Sequence, residues 1–176
     1  MAGTGRNREH DLHGILQWVV DLYRLGQREA LGEAADRQDP DEGRGPRLWR
    51  GILQHIEDVF EAGFSSLALR KGDRLVLAAG TRLDPALIGQ EIGFGEGILG
   101  RVADAGKPLL LTGDLSDDPN FGEATAERTS RRPGSALCWR LLGEQGVIGA
   151  LAINRCPEDP PFDDADLEWG KPLVEV

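Results

Sequence analysis

The spacing of apolar side chains along the chain predicts a series of short helices and strands. Apolar positions recur every three or four residues between His10 and Tyr23 and again between Leu48 and Phe60, as in an amphipathic helix. We expect Gly63 to end the second helix. Alternating or continuous apolar runs predict strands at 64–70, 74–79, 109–111, 136–142 and 147–154. This order of helix, hairpin, short helix, strand, loop, hairpin and helix implies an antiparallel sheet with helices packed on it.

The stretch from Gly93 to Leu111 carries the densest local signals. Three glycines between positions 93 and 97 predict a loop with positive φ that lets another backbone come close. A short helix follows and ends at Gly106. Its predicted buried face comprises Ile98, Leu99, Val102 and Ala103. Leu109–Leu111 then predicts a buried strand.

Composition narrows the classes of function. The formal net charge of −10 over 176 residues argues against a general binder of nucleic acid or anionic membrane, because both need a cationic surface. The two cysteines form no disulfide framework, and no histidine follows His55, so we expect no metal site and no cofactor. No apolar run approaches the length of a membrane span, and the first residues carry no hydrophobic signal core. A soluble, cytoplasmic protein is the expectation.

Five segments, taken in order, resemble the GAF domain, a sensory and regulatory module of bacterial signalling proteins. The segments are Gly93–Leu111, Asp114–Phe121, Ser135–Leu142, Gly146–Asn154 and Pro161–Leu167. The resemblance implies an α+β fold of the GAF/profilin-like class, with an antiparallel sheet of five to six strands and helices on both faces. The related PAS fold is the alternative, but it lacks the Gly-Glu-Gly-Ile-Leu-Gly helix. Residues 1–46 then form an N-terminal amphipathic helix and a linker rich in proline and glycine, and residues 47–176 form the GAF domain.

The resemblance also implies a ligand pocket between one sheet face and the segment that follows the middle strand, residues 112–134. The first part of that segment is acidic and the second part is basic, which suits a lid over a polar or anionic ligand. A solvated loop with internal ion pairs is the alternative. The candidate ligand-binding residues are Glu96, Asp114, Asp117, Arg131, Arg132, Cys138, Trp139, Arg140 and Asn154.

Strand alternation separates the residues around position 139. Trp139 shares a face with Leu137 and Leu141, whereas Cys138 and Arg140 share the other face. Arg140 is either an anchor in the pocket or an exposed charge, and Trp139 favours the core. Some cyclic-nucleotide-binding GAF domains carry a signature that Asn154 and its neighbours match in part, but residues 162–166 are better explained as the start of a helix.

The implied function is a signal-transduction module that binds a small molecule or dimerises, or does both, to regulate an attached or partner effector. A pure dimerisation module without ligand is the first alternative. The helices at 10–25 and 48–62 then form the interface of a homodimer, unless the first of them packs on its own domain. A redox sensor or an enzyme that resembles methionine sulfoxide reductase, acting through Cys138, is the less favoured alternative. No catalytic constellation is present in the sequence.

Overall fold

The computed structural model describes residues 44–113, 115, 133–143 and 146–170, with the backbone alone at 44–48. The helix predicted from His10 and most of the predicted lid lie outside these ranges. The helices are α1 (Arg44–Phe60), α2 (Gly97–Ala105) and α3 (Asp164–Trp169), with a 3₁₀ turn at Pro85–Leu87. The strands are β1 (Phe64–Lys71), β2 (Arg74–Gly80), β3 (Glu91–Ile92), β4 (Leu109–Thr112), β5 (Ser135–Gly143) and β6 (Gly146–Arg155).

The strands form one six-stranded antiparallel sheet in the order β3-β2-β1-β6-β5-β4. Two hairpins, β1–β2 and β5–β6, account for most of it, as their alternating patterns predicted. The hairpins meet along β1 and β6, where Phe64 lies opposite Asn154 and Leu69 opposite Gly149. The expected α+β architecture with five to six strands is confirmed.

Helices cover both faces of the sheet and bury two separate apolar clusters. On one face, α1 and the segment leading into α3 pack on β1, β5 and β6, with Phe60, Trp139 and Phe162 at the centre. On the other face, α2 packs on the same strands through Ile98, Leu99 and Val102 and through Ala103. The four α2 residues predicted to be buried are all buried.

The glycine-rich loop folds as a turn that feeds α2. Gly95 and Gly97 have positive φ values of 83° and 57°, and Gly106 ends α2 at φ 72°. Gly100 lies so close to the loop that a Cβ there would be 2.2 Å from the carbonyl oxygen of Gly93. The glycines therefore serve a close packing of backbone on backbone.

Three local predictions were wrong. Helix α1 ends at Phe60 because Glu61 takes up the left-handed conformation, φ 52°, so Gly63 is not its terminator. The same helix begins at Arg44, inside the segment predicted as linker. Strand β4 is half-buried, because it pairs only with β5 in the described sheet and lies at its edge.

Candidate functional site

The α2 side of the sheet has a floor of small side chains. Residues opposite each other in an antiparallel ladder share a face, so the β1–β6 and β5–β6 registers place six such residues together. They are Ser66, Ala68, Ala136, Cys138, Ala150 and Ala152. Five of the six are at most 2% exposed. The small side chains of the floor let α2 pack close to the sheet.

Asn154 stands at one end of this floor, opposite Phe64 and Ala136. Its side chain is buried, with the residue 4% exposed. The amide nitrogen reaches the carbonyl oxygen of Phe64 at 3.5 Å, and the amide oxygen Oδ1 has no hydrogen-bond partner among the described residues. A buried polar atom without a partner costs about 1–3 kcal/mol, so Asn154 holds an acceptor that a further donor would satisfy.

Arg140 stands at the other end of the floor, opposite Ala150. A Cβ at Gly106 would lie 2.3 Å from Nη1 of Arg140, so the guanidinium packs directly against the end of α2. A positive charge at that place complements the negative end of the helix dipole. The backbone from Ala150 to Asn154 rises by about 13 Å, which sets the separation between the two ends of the floor.

Cys138 lies between these two residues, opposite Ala152, and is fully buried. Its thiol points to the carbonyl oxygen of Ile98 in α2, with Sγ and O 3.9 Å apart. Burial raises the pKa of the Cys138 thiol far above its ordinary value. The environment therefore keeps the thiol protonated, which opposes nucleophilic or redox chemistry.

Trp139 does not share a pocket with Cys138 and Arg140. It is fully buried on the opposite face, where its ring packs at 5.7 Å from the ring of Phe60 and its Nε1 donates to the carbonyl oxygen of Leu167 at 3.3 Å. The predicted alternation of β5 is thus correct, but it removes Trp139 from the candidate site. The physical reason is the period of two in a strand.

Glu96 also lies apart from the floor. It is exposed at the start of α2, and its Oε2 accepts a hydrogen bond from the backbone N–H of Gly93 at 2.8 Å. The carboxylate thus closes the glycine turn. Asp114, Asp117, Arg131 and Arg132 lie outside the described residues. The structure therefore brings Cys138, Arg140 and Asn154 to one face.

The residue after Asn154 joins the ends of α1 and α3. Arg155 donates to the carbonyl oxygen of Phe60 at 2.8 Å and of Glu61 at 3.3 Å, at the end of α1. It also forms an ion pair with Asp166 of α3 at 3.5 Å and lies over the ring of Phe162. The partial match to the cyclic-nucleotide signature therefore has a structural role here.

A polar cluster that the sequence analysis missed lies on the α1 side. Glu57 of α1 accepts hydrogen bonds on Oε1 from the hydroxyls of Ser65 and Thr81. The two hydroxyl residues are buried, and Thr81 follows β2 directly. The available signal was Ser65, a polar residue whose position in β1 shares the inward face of Leu67.

Among the described residues, no group of histidine, cysteine, aspartate and glutamate is arranged to hold a metal ion. None of the described helices has both the length and the apolar character needed to span a membrane.

Comparison with known proteins identifies the fold. The GAF domain of a phosphoenolpyruvate-protein phosphotransferase from Coxiella burnetii superimposes with a TM-score of 0.61 at 15% identity, over 91% of this chain and 86% of that one. The A. aeolicus nlh2 GAF domain in an inactive state gives 0.57 at 14% identity, over 94% and 90%. The reduced form of fRMsr of Staphylococcus aureus gives 0.53 at 17% identity, over 86% and 90%.

At these identities the likeness concerns the fold alone, and no curated protein matches the chain. A family model described as GAF domain matches residues 46–176, well over half of the chain. The chain belongs to the GAF domain family.

Proposed function

We propose that this protein is a sensory module that binds a small molecule on the α2 side of its sheet and transmits occupancy to an attached or partner effector. The observation that carries the proposal is the buried amide of Asn154, whose Oδ1 has no partner within the part of the chain that the structure describes. A ligand that supplies a hydrogen-bond donor at this point removes the cost of the unmade bond.

The ligand is small and polar. At one end of the floor Asn154 offers an acceptor, and about 13 Å away along the strand Arg140 offers a cation beside the end of α2. The predicted lid contributes Asp114, Asp117, Arg131 and Arg132 to the same pocket in this proposal. Cys138 serves as part of the floor, opposite Ala152, and not as a reactive group, because burial raises the pKa of its thiol.

Transmission runs through the covalent neighbour of Asn154. Arg155 is next in β6, and its guanidinium holds the last carbonyls of α1 as well as Asp166 of α3. A ligand that forms a hydrogen bond with the Asn154 amide shifts this end of β6. The shift changes the contacts of Arg155 with α1 and α3. Only a difference in ligand affinity between the two arrangements drives the shift.

Native mass spectrometry of the protein purified from its own host tests the proposal. A small molecule that is retained under gentle conditions and released on denaturation supports it and reveals the ligand's mass. Asn154→Leu is expected to lose that molecule. The matched control Gln90→Leu, which removes an exposed amide before β3, is expected to keep it.

An interaction module without ligand is the competing function, and the same spectra decide between the two. An empty homodimer, with Asn154→Leu indistinguishable from the parent protein, contradicts the ligand proposal. We place the dimer interface on the helix predicted from His10, because the apolar stripe of α1 is buried against the sheet of its own domain.

A further inference from the structure

An open cleft of about 490 Å³ lies between α1 and the turn after β2, on the opposite face of the sheet from Asn154. Its volume falls in the range of about 300–1,000 Å³ that is common for small-molecule sites. The lining residues are Arg50, Gln54, Glu57, Asp58, Gly80, Thr81, Arg82 and Leu83. Two cations and two anions therefore face one space.

The carboxylate of Glu57 is held in place by buried hydroxyls. The backbone N–H of Ser65 donates to Oγ1 of Thr81 at 2.9 Å. The Thr81 hydroxyl in turn donates its own hydrogen to Oε1 of Glu57. The Ser65 hydroxyl donates to the same oxygen. With Oε1 occupied twice, Oε2 is the oxygen that Glu57 has left to offer the cleft. A group oriented in advance binds a partner without the cost of ordering it.

The backbone of the turn departs from common geometry at the same place. Arg82 has φ 54°, in the left-handed region that residues other than glycine seldom occupy. Backbone strain of this kind concentrates at ligand sites. On the same wall of the cleft, Arg50 precedes Glu57 by seven positions, so the two project from one side of α1 about 10 Å apart along its axis.

We propose that this cleft is a second ligand site and that it binds a small zwitterion of the amino-acid class. The ammonium group pairs with Oε2 of Glu57, and the carboxylate pairs with the guanidinium of Arg50. A bidentate arginine–carboxylate pair and a charge-assisted bond to an oriented carboxylate are both strong contacts. The site does not depend on the ligand proposed for the α2 face.

Glu57 also fastens α1 to the sheet, and one substitution separates the two roles. In Glu57→Gln, the side-chain carbonyl oxygen still accepts from Ser65 and Thr81, whereas the negative charge and the free acceptor are replaced by an amide NH₂ group. The hydrogen bonds that fasten α1 to the sheet are therefore kept, and the binding site for the ammonium group is lost. Arg50→Gln changes an exposed residue and removes the other contact.

Isothermal titration at low salt with glycine, β-alanine, 4-aminobutyrate and 6-aminohexanoate tests the site. At least one of these probes is expected to bind, and the best one reports the separation of the two charges. Glu57→Gln and Arg50→Gln are each expected to raise the Kd of that probe by about tenfold or more. Asp73→Asn, which removes an exposed charge in the β1–β2 turn, and Asn154→Leu are expected to bind it unchanged.

Two results overturn the proposal. One is that none of the four zwitterions binds more tightly than sodium acetate or ethylammonium chloride. The other is that Glu57→Gln binds as the parent protein does while its unfolding midpoint in urea is unchanged. Either result leaves Glu57 with a structural role only, and does not affect the proposal for the site around Asn154.

Discussion

The guanidinium of Arg155 lies over the ring of Phe162, with its Cζ 4.1 Å from the ring centroid. The same group contacts carbonyl oxygens at the end of α1 and the carboxylate of Asp166 in α3. One side chain thus ties two helices to the end of β6, although it is 95 positions away from the end of α1 in the sequence. Its loss should therefore be felt well beyond β6.

Arg155→Met is expected to lower the free energy of unfolding by about 3 kcal/mol, because it leaves the partly buried carbonyl of Phe60, the carbonyl of Glu61 and the carboxylate of Asp166 without their charged donor. Arg155 is only 12% exposed, so solvent compensates little. Arg155→Lys should cost less because it keeps the positive charge, but it should still destabilise the protein, since one ammonium cannot reach all the acceptors. The control Arg74→Met breaks a more exposed ion pair with Glu91 and should cost less than about 1 kcal/mol. Urea denaturation measures all three, and equal effects for Arg155 and Arg74 would contradict the prediction.

Two glycine-to-alanine substitutions should act in opposite directions. At Gly100 the new Cβ would clash with the carbonyl oxygen of Gly93, and this backbone group cannot move without disturbing the turn. The free energy of unfolding is therefore expected to fall by about 2–3 kcal/mol. Gly51 lies inside α1 with nothing within 4 Å of the added Cβ, and there alanine should stabilise by up to about 1 kcal/mol. Thermal unfolding of both variants provides the check. A stabilised Gly100→Ala would show that the glycine turn is looser than described.

The stability of the protein should fall at alkaline pH through Cys138. Burial raises the pKa of its thiol in the folded state, whereas the unfolded chain ionises near the ordinary value of about 8.5. Above that pH the unfolded state releases a proton that the folded state keeps. The free energy of unfolding therefore loses up to about 1.4 kcal/mol per pH unit from this group.

Urea denaturation of the parent protein and of Cys138→Ala between pH 7 and 10.5 measures this effect. Cys138→Ala is expected to be less stable at pH 7, because a buried sulfur is lost, and to have a shallower decline above pH 9. Parallel curves would show that the thiol ionises equally easily in both states.

Asn154→Leu should stabilise the protein without ligand, or leave its stability unchanged, while abolishing the proposed ligand binding. The reason is that leucine has a similar volume and removes a buried oxygen that has no partner. Thermal melts of protein stripped of small molecules supply the measurement. A loss of more than about 2 kcal/mol would show that the amide is satisfied in solution by its surroundings.

The fold was predictable from local patterns, because the residues that specify each hairpin and the α2 segment lie close together in the sequence. The alternation of β5 placed Trp139 and Cys138 on opposite faces correctly, and the glycines after position 92 marked the turn. The end of α1 was not predictable, because Glu61 adopts a conformation for which glycine is the usual residue. Tertiary contact, including the bond from Arg155, overrides that preference.

The candidate site was only partly predictable, since its contacts join distant positions. Arg155 reaches Phe60 across 95 positions, and Glu57 meets Thr81 across 24. No periodicity connects such pairs, and a glutamate in an amphipathic helix is ordinarily interpreted as facing solvent. A polar residue at an inward strand position, such as Ser65, is the one local sign of a buried hydrogen-bond acceptor nearby.

The pairing of Phe64 with Asn154 joins positions that are 90 residues apart, and it unites the two hairpins. During synthesis, the edge of β1 must wait for β6 to emerge from the ribosome, on the order of 10 s at about 5–20 residues per second. An unpaired apolar strand edge is a template for association with other chains. Until β6 has been synthesised, β1 therefore presents an unpaired edge to other chains.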